Sequence, residues 1–270
     1  MIVLDFDWTL LDCNSDTWVV EKLGASALMN SLQRTLPWTQ LMDRMMKELH
    51  DAGRSMEDID QCLQQAPIHP AMVSAIKSAA AIGCELQIVS DANSYFINKI
   101  LHSYDLHHYF PDKNIHTNPA FVAENGALHV VPFHAADDQL PPHGCNLCPP
   151  NMCKGLILNS IQGKATSGST RREVIYIGDG GGDFCPSLQL QKGDHVLARK
   201  GFPLLKRLQE NQNVVKATVH VWSSASDVEA ILTELCQQPP YTGQNSASIQ
   251  GCKIQLSKQE LSSLGLHARS

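Results

Sequence analysis

Met1-Ile2-Val3-Leu4-Asp5-Phe6-Asp7-Trp8-Thr9-Leu10-Leu11-Asp12 is the stretch that decides how the chain is read. Ile2, Val3 and Leu4 form an apolar run closed by a carboxylate, the pattern of a short strand buried on both faces. Asp5 falls where that strand ends and Asp7 lies two residues on, so an extended backbone points both side chains the same way. Two carboxylates on one side of a strand end repel unless a cation or an exchangeable proton lies between them. Such a pair suits a site where one Asp attacks and its neighbour trades a proton, with a divalent metal damping the charge. A strand running into an Asp-rich turn accounts for the same residues without any chemistry. The rest of the chain has to decide.

Residues 85–90, Glu-Leu-Gln-Ile-Val-Ser, read as a second strand ending on the Ser90 hydroxyl, followed by Asp91-Ala92-Asn93 and a helix over about 94–104. A strand that turns straight into a helix leaves free N–H groups suited to an anion, although capping alone also explains Ser90 and Asn93. Residues 173–177 read as a third strand, running into Gly178-Asp179-Gly180-Gly181-Gly182-Asp183. Glycines at this density let the main chain turn sharply, and Asp179 and Asp183 are spaced to reach one locus. Mg2+ is the natural partner of such an Asp pair. Further strands are expected over 195–198 and 214–222. Helices are expected over 70–81, 154–161 and 202–209, with another from a Ser226/Glu229 capping box to Cys236. Strand and helix alternating in this way predict a doubly wound α/β fold with a parallel sheet, whose ligands gather at the carboxyl ends of the strands. Asp5, Ser90 and Asp179 all fall at such ends.

Between 14 and 66 the texture is helical, with apolar residues at three- and four-residue steps and a capping box at Ser55/Asp58. The Met-rich stripe Leu41, Met42, Met45, Met46, Leu49 is expected to be its core. Asn125-Gly126 between apolar runs signals a hairpin over 121–131. A Pro-rich loop follows over 137–150, with Cys145, Cys148 and Cys153 near its end, and a polar loop over 163–170. Those thiols either bind zinc or pack near a pocket; for zinc, the usual second pair is missing. The expected organisation is a catalytic core over 1–12 and 70–236, carrying a hairpin and Cys-rich insert at about 110–153. A small helical cap occupies 13–69, and a polar tail 237–270.

Across 270 residues, a net charge of −6 and 43% hydrophobic content indicate a globular protein that carries no nucleic-acid footprint and no affinity for anionic membranes. No apolar run is long enough to span a bilayer. Nine cysteines without a basic, apolar leader suit a reducing compartment, so a cytoplasmic protein is expected. Whether the chain forms a homodimer is left open.

Asp5-x-Asp7-x-Thr9, Ser90, Lys154 and Gly178-Asp179-x3-Asp183, in this order, resemble the four motifs of the haloacid dehalogenase superfamily of phosphatases. Asn14-Ser15-Asp16, Ser90-Asp91-Ala92-Asn93, Cys145-x2-Cys148-Pro-x-Asn151-Met152-Cys153-Lys154-Gly155 and Asp183-x-Cys185-Pro186 resemble, more narrowly, the phosphoethanolamine/phosphocholine phosphatases. That family also has members described as pyrophosphatases and pyridoxal-phosphate phosphatases. The resemblance implies a Rossmann-like core with a helical cap, and a small phosphorylated metabolite as the partner. Asp5 is implied as nucleophile and Asp7 as acid/base. Mg2+ is implied on Asp5, the Asp7 main-chain carbonyl and Asp179, with Asp183 behind them. Thr9, Ser90 and Lys154 are implied to hold phosphate, and Asp16 and Asp91 to meet the amine end of the substrate. Trp8 departs from the family, where Lys, Glu, Arg or Gly is usual. A non-catalytic metabolite- or metal-binding protein is the reading of a different class.

Overall fold

Ile2, Val3 and Leu4 are fully buried because β1 (Ile2–Leu4) lies inside a six-stranded sheet with a parallel neighbour on each side. The computed structural model describes residues 1–135, 143–165 and 171–237. The expected polar tail lies outside them apart from Gln237, as do most of the loop expected over 163–170 and residues 137–142 of the Pro-rich loop.

After β1 come four helices, α1 (Ser15–Lys22), α2 (Ser26–Leu32), α3 (Trp38–Asp51) and α4 (Met56–Gln64). Asn14 caps α1 through the Thr17 N–H, and the Ser55/Asp58 capping box opens α4 as expected. The α3 stripe Leu41, Met42, Met45, Met46 and Leu49 is 2% exposed or less, each side chain contributing about 1.5–3 kcal/mol of burial. It joins one apolar cluster with Ile2, Leu4, Ile88 and Ile177 of the sheet.

The chain returns through α5 (Pro70–Ala81) to β2 (Leu86–Asn93) and α6 (Ser94–Ser103). Strand β2 runs three residues beyond the expected Ser90 end, and Asn93 caps α6 by accepting from the Phe96 N–H at 3.0 Å. Next comes β3 (Ile115–Asn118), a strand absent from the sequence reading. Ile-His-Thr-Asn lacks an apolar run because the strand forms the sheet's edge. The expected hairpin is present as β4 (Ala120–Val122) and β5 (Leu128–Val130), with Gly126 supplying φ +85° at the turn. It forms its own two-stranded sheet against α3, where Asp43 accepts from the Val130 N–H and meets His129, both at 3.0 Å.

Helix α7 (Lys154–Ala165) continues through Gly163, so its last turn lies where a loop was expected. It precedes β6 (Ile175–Gly178), α8 (Phe184–Ser187), β7 (His195–Arg199), α9 (Pro203–Glu210), β8 (Thr218–Trp222) and α10 (Ala225–Gln237). The box opening α10 is Ser224/Asp227, two residues before the expected pair: Asp227 accepts from the Ser224 N–H at 2.9 Å. Sheet order is β3-β2-β1-β6-β7-β8, every pair parallel. One face carries α5, α6 and α10; the other carries α7, α8 and α9 around Val3, Val89 and Tyr176. The fold is the doubly wound α/β architecture. The chain winds one way from β1 to β3 and the other from β6 to β8, so a crevice opens past the ends of β1 and β6. Among the described residues, no helix is long and apolar enough to cross a membrane.

Candidate active site

Strand β1 delivers Asp5 to that crevice in extended conformation, and the main chain stays extended at Asp7. Trp8 then takes φ +56°, a left-handed conformation uncommon for any residue but Gly, and the turn closes with the Leu11 N–H on the Phe6 carbonyl. Arg199 supports the bend by donating to the Trp8 carbonyl at 2.6 Å, while Phe202 packs on the indole with ring centroids 5.8 Å apart. Nothing in the sequence signalled a positive φ at a tryptophan. Tertiary contacts account for it.

Strand β6 delivers Asp179, and the glycine-rich turn folds Asp183 back beneath it. Oxygens of Asp5, Asp179 and Asp183 lie within 4.8 Å of one another, all three residues buried. Gly178 permits this closeness: a Cβ there would sit 2.6 Å from an Asp183 oxygen. The Asp183 carboxylate accepts from the Asp179 and Gly180 N–H groups at 3.1 and 2.8 Å and from the Tyr176 hydroxyl at 2.7 Å. Helix α7 brings Lys154, whose Nζ donates to Asp5 at 2.5 Å and to Asp183 at 2.8 Å. Residues 149 positions apart in the chain thus meet as a buried ion pair.

Electrostatics follow from this crowding. Burial, then Asp183, push the Asp5 carboxyl well above its usual range, with Lys154 pulling the other way. The same causes take Asp179 up to about 7. Burial favours a neutral Lys154, but Asp183 and Asp5 outweigh it and hold the ammonium above its usual range. Three carboxylates face one ammonium. The surplus negative charge and the all-oxygen donor set fit a hard divalent cation such as Mg2+.

Asp7 borders the same cleft, a cavity of about 300 Å3. It accepts from the Ser15 N–H at 2.9 Å and the Asn14 amide at 3.0 Å, and burial pushes it up to about 6. Ser90 and Asp91 line the cleft too. The Ser90 hydroxyl accepts from the Ala92 N–H at 3.3 Å. Asp91 is steadied by the amides of Asn118 at 2.9 Å and Asn151 at 2.5 Å, while burial raises its carboxyl.

Two expected site residues are placed elsewhere. Thr9 donates its hydroxyl to Asp179 at 3.0 Å and contributes nothing to the cleft lining, so it orients a carboxylate where contact with phosphate was expected. Asp16 is 2% exposed behind the wall, accepting from the Trp38 indole at 2.8 Å and the Asn93 amide at 3.3 Å. The ring it holds, Trp38, lines the cleft together with Trp8, and Asp16 itself does not. Trp38, Tyr176, Asn118 and Arg199 were missed in sequence. Asn118 ends the edge strand that was itself missed, and the other three carried no local signal.

Residues 1–236 match the model of the family described as Putative Phosphatase. The chain is 48% identical over 235 residues to a thiamine phosphate phosphatase-like protein of Arabidopsis thaliana, covering 87% of this chain and 94% of the relative. It is 49% identical to inorganic pyrophosphatase 2 of the same plant, covering 88% and 84%. It is 35% identical to pyridoxal phosphate phosphatase PHOSPHO2 of Homo sapiens, covering 84% and 95%. In fold it is similar to a phosphoserine phosphatase carrying a phospho-aspartyl intermediate analogue, with a TM-score of 0.55, 16% identity, and 85% and 96% of the two chains covered.

Proposed function

The chain belongs to the Putative Phosphatase family and is a phosphatase of the haloacid dehalogenase superfamily; from that premise we propose a Mg2+-dependent hydrolase of small phosphomonoesters whose far end is cationic. The observation that carries this reading is the buried Asp5–Lys154–Asp183 chain at the floor of the cleft. Lys154 neutralises and aims Asp5 while leaving it at the open end of β1, where a phosphorus can be approached in line.

Asp5 attacks phosphorus, the bond to the ester oxygen breaks, and an aspartyl-phosphate forms. Asp7, with its carboxyl pushed up to about 6, gives its proton to the departing alkoxide. It then takes a proton from the water that hydrolyses the aspartyl-phosphate, returning Asp5. Mg2+, held by Asp5, Asp179 and the Asp7 main-chain carbonyl, would offset the repulsion between carboxylate and phosphate. Lys154 and Ser90 hold non-bridging oxygens where charge develops. Asp183 and Tyr176 keep Lys154 in place, and Thr9 keeps Asp179 in place. Helices α1 to α4 act as a cap over the cleft.

Selectivity falls to the cleft wall. Asp91 and the rings of Trp8 and Trp38 border the space beside the phosphate groups, a combination that suits a quaternary or protonated nitrogen. Phosphocholine, phosphoethanolamine and thiamine phosphate share that chemistry. Pyrophosphate is the second reading, favoured by the 49% identical plant relative. Phosphate release with Mg2+ from all four, and from pyridoxal phosphate, tests both. The expected result is a specificity constant at least about tenfold higher for the cationic esters than for pyrophosphate. Preference for pyrophosphate overturns the cationic reading, and no turnover of any phosphate compound overturns the enzyme.

A further inference from the structure

We propose that Cys145, Cys148, Cys153 and Cys185 form a closed tetrathiolate site for one zinc ion. In sequence the first three lack a second pair. The missing ligand comes from α8, which brings Cys185 against the loop before α7 from 32 residues away. All four sulfurs lie within 4.8 Å of one another, with Cys145–Cys185 at 3.6 Å and Cys153–Cys185 at 3.8 Å. A tetrahedron with Zn–S bonds of about 2.3 Å has sulfur–sulfur edges of about 3.8 Å. A disulfide needs about 2.0 Å, and all four cysteines are free thiols.

The surroundings are those of a thiolate site. At the start of α7 the Gly155 N–H is directed at the Cys185 sulfur and the Leu156 N–H at that of Cys153. Such donors, at the positive end of a 12-residue helix, stabilise the anionic sulfurs of a zinc–thiolate centre. Gly155 leaves the necessary room, because a Cβ there would sit 2.6 Å from the Cys185 sulfur. Four sulfur ligands select zinc over the hard cation that the carboxylates suit, and they leave no open position for substrate. On binding, each thiol releases its proton to solvent and forms one bond to the metal; no electrons change hands. The ion would clamp Cys153, next to Lys154, to Cys185, two residues past Asp183. Its role is to hold the phosphatase floor together.

The test is metal content of the full 270-residue chain, prepared under reducing conditions with zinc supplied and excess removed by EDTA. About one zinc per chain is expected, falling to about a tenth in Cys148→Ser and Cys185→Ser and unchanged in Asp179→Asn. Because a serine variant could lose zinc by unfolding, the wild-type protein loaded with Co2+ supplies a second readout. Sulfur-to-cobalt charge-transfer absorption with intense tetrahedral ligand-field bands is expected. Wild-type protein without tightly held zinc, zinc lost from Asp179→Asn but kept by both serine variants, or a cobalt spectrum of oxygen ligands would each overturn the proposal. None of these readings depends on phosphate release, so failure here is distinguishable from failure of the proposed activity.

Discussion

The carboxylate cluster with its ammonium and the thiol cluster share two stretches of chain, yet they are opposite kinds of site. Cys153 is followed by Lys154, and Asp183 is followed two residues on by Cys185, so each stretch contributes to both. The oxygens border an open cleft, carry surplus charge and share one ammonium. The sulfurs face one another and are met by main-chain N–H groups. Hard ligands around an opening suit turnover; soft ligands closed on themselves suit a clamp. Cys153 and Cys185 flank Lys154 and Asp183 in the chain, so whatever fixes these sulfurs also fixes the groups that hold Asp5.

Asp5→Asn breaks the oxygen side most sharply. Phosphate release should fall at least about a thousandfold, since the amide cannot attack phosphorus, while zinc content stays unchanged. A variant that keeps its rate would remove Asp5 from the chemistry. Lys154→Met is next: it strands Asp5 and Asp183 as buried, unpaired carboxylates and should cost about 3–5 kcal/mol in urea unfolding at neutral pH. A loss under about 1 kcal/mol would mean that the pair is solvated.

Two glycine variants then sharpen the contrast. Gly178→Ala forces a Cβ into Asp183, and Gly155→Ala forces one into Cys185. Each should cost about 1–3 kcal/mol in thermal or urea unfolding. The first should depress phosphate release with zinc retained; the second should depress zinc retention. Equal loss of both properties in both variants would mean that the clusters are one unit.

The smallest effect provides a baseline away from both clusters. His220 and His195 meet at 2.9 Å between β7 and β8, and burial, then His195, lower His220 from 6.5 to about 4. The unfolded chain therefore takes up this proton first as pH falls. The contribution to stability is whole above pH 6.5, declines towards pH 4, and levels off below it. Unfolding midpoints of His220→Gln against the wild type should converge or cross through that window. A pH-independent difference would place the titration elsewhere.

Local pattern carried a large part of this molecule. Ile2-Val3-Leu4, buried on both sides, announced a central strand, and the alternation that followed announced a parallel sheet with helices on both faces. Asn125-Gly126 announced the hairpin, and Ser55/Asp58 a helix start. These are short-range properties, written in residues that are neighbours along the chain. Asp5, Asp7, Ser90 and Asp179 were legible for the same reason, since each stands at or near the end of a recognisable strand. Strand β3 escaped because an edge strand of polar residues has no apolar signature. Trp8 hid its positive φ because Arg199 and Phe202, which hold the bend, lie far away in sequence.

What the residues alone determined, then, is the order of strands and helices apart from the edge strand β3, and the types of group at the strand ends. Which groups touch was decided by the packed sheet, because carboxylate, ammonium and thiol act over a few ångströms while chain separation says nothing about distance. Only there does Lys154 reach Asp5 and Asp183. Only there does Thr9 turn to Asp179, Asp16 retire behind Trp38, and a fourth cysteine complete the set begun at Cys145.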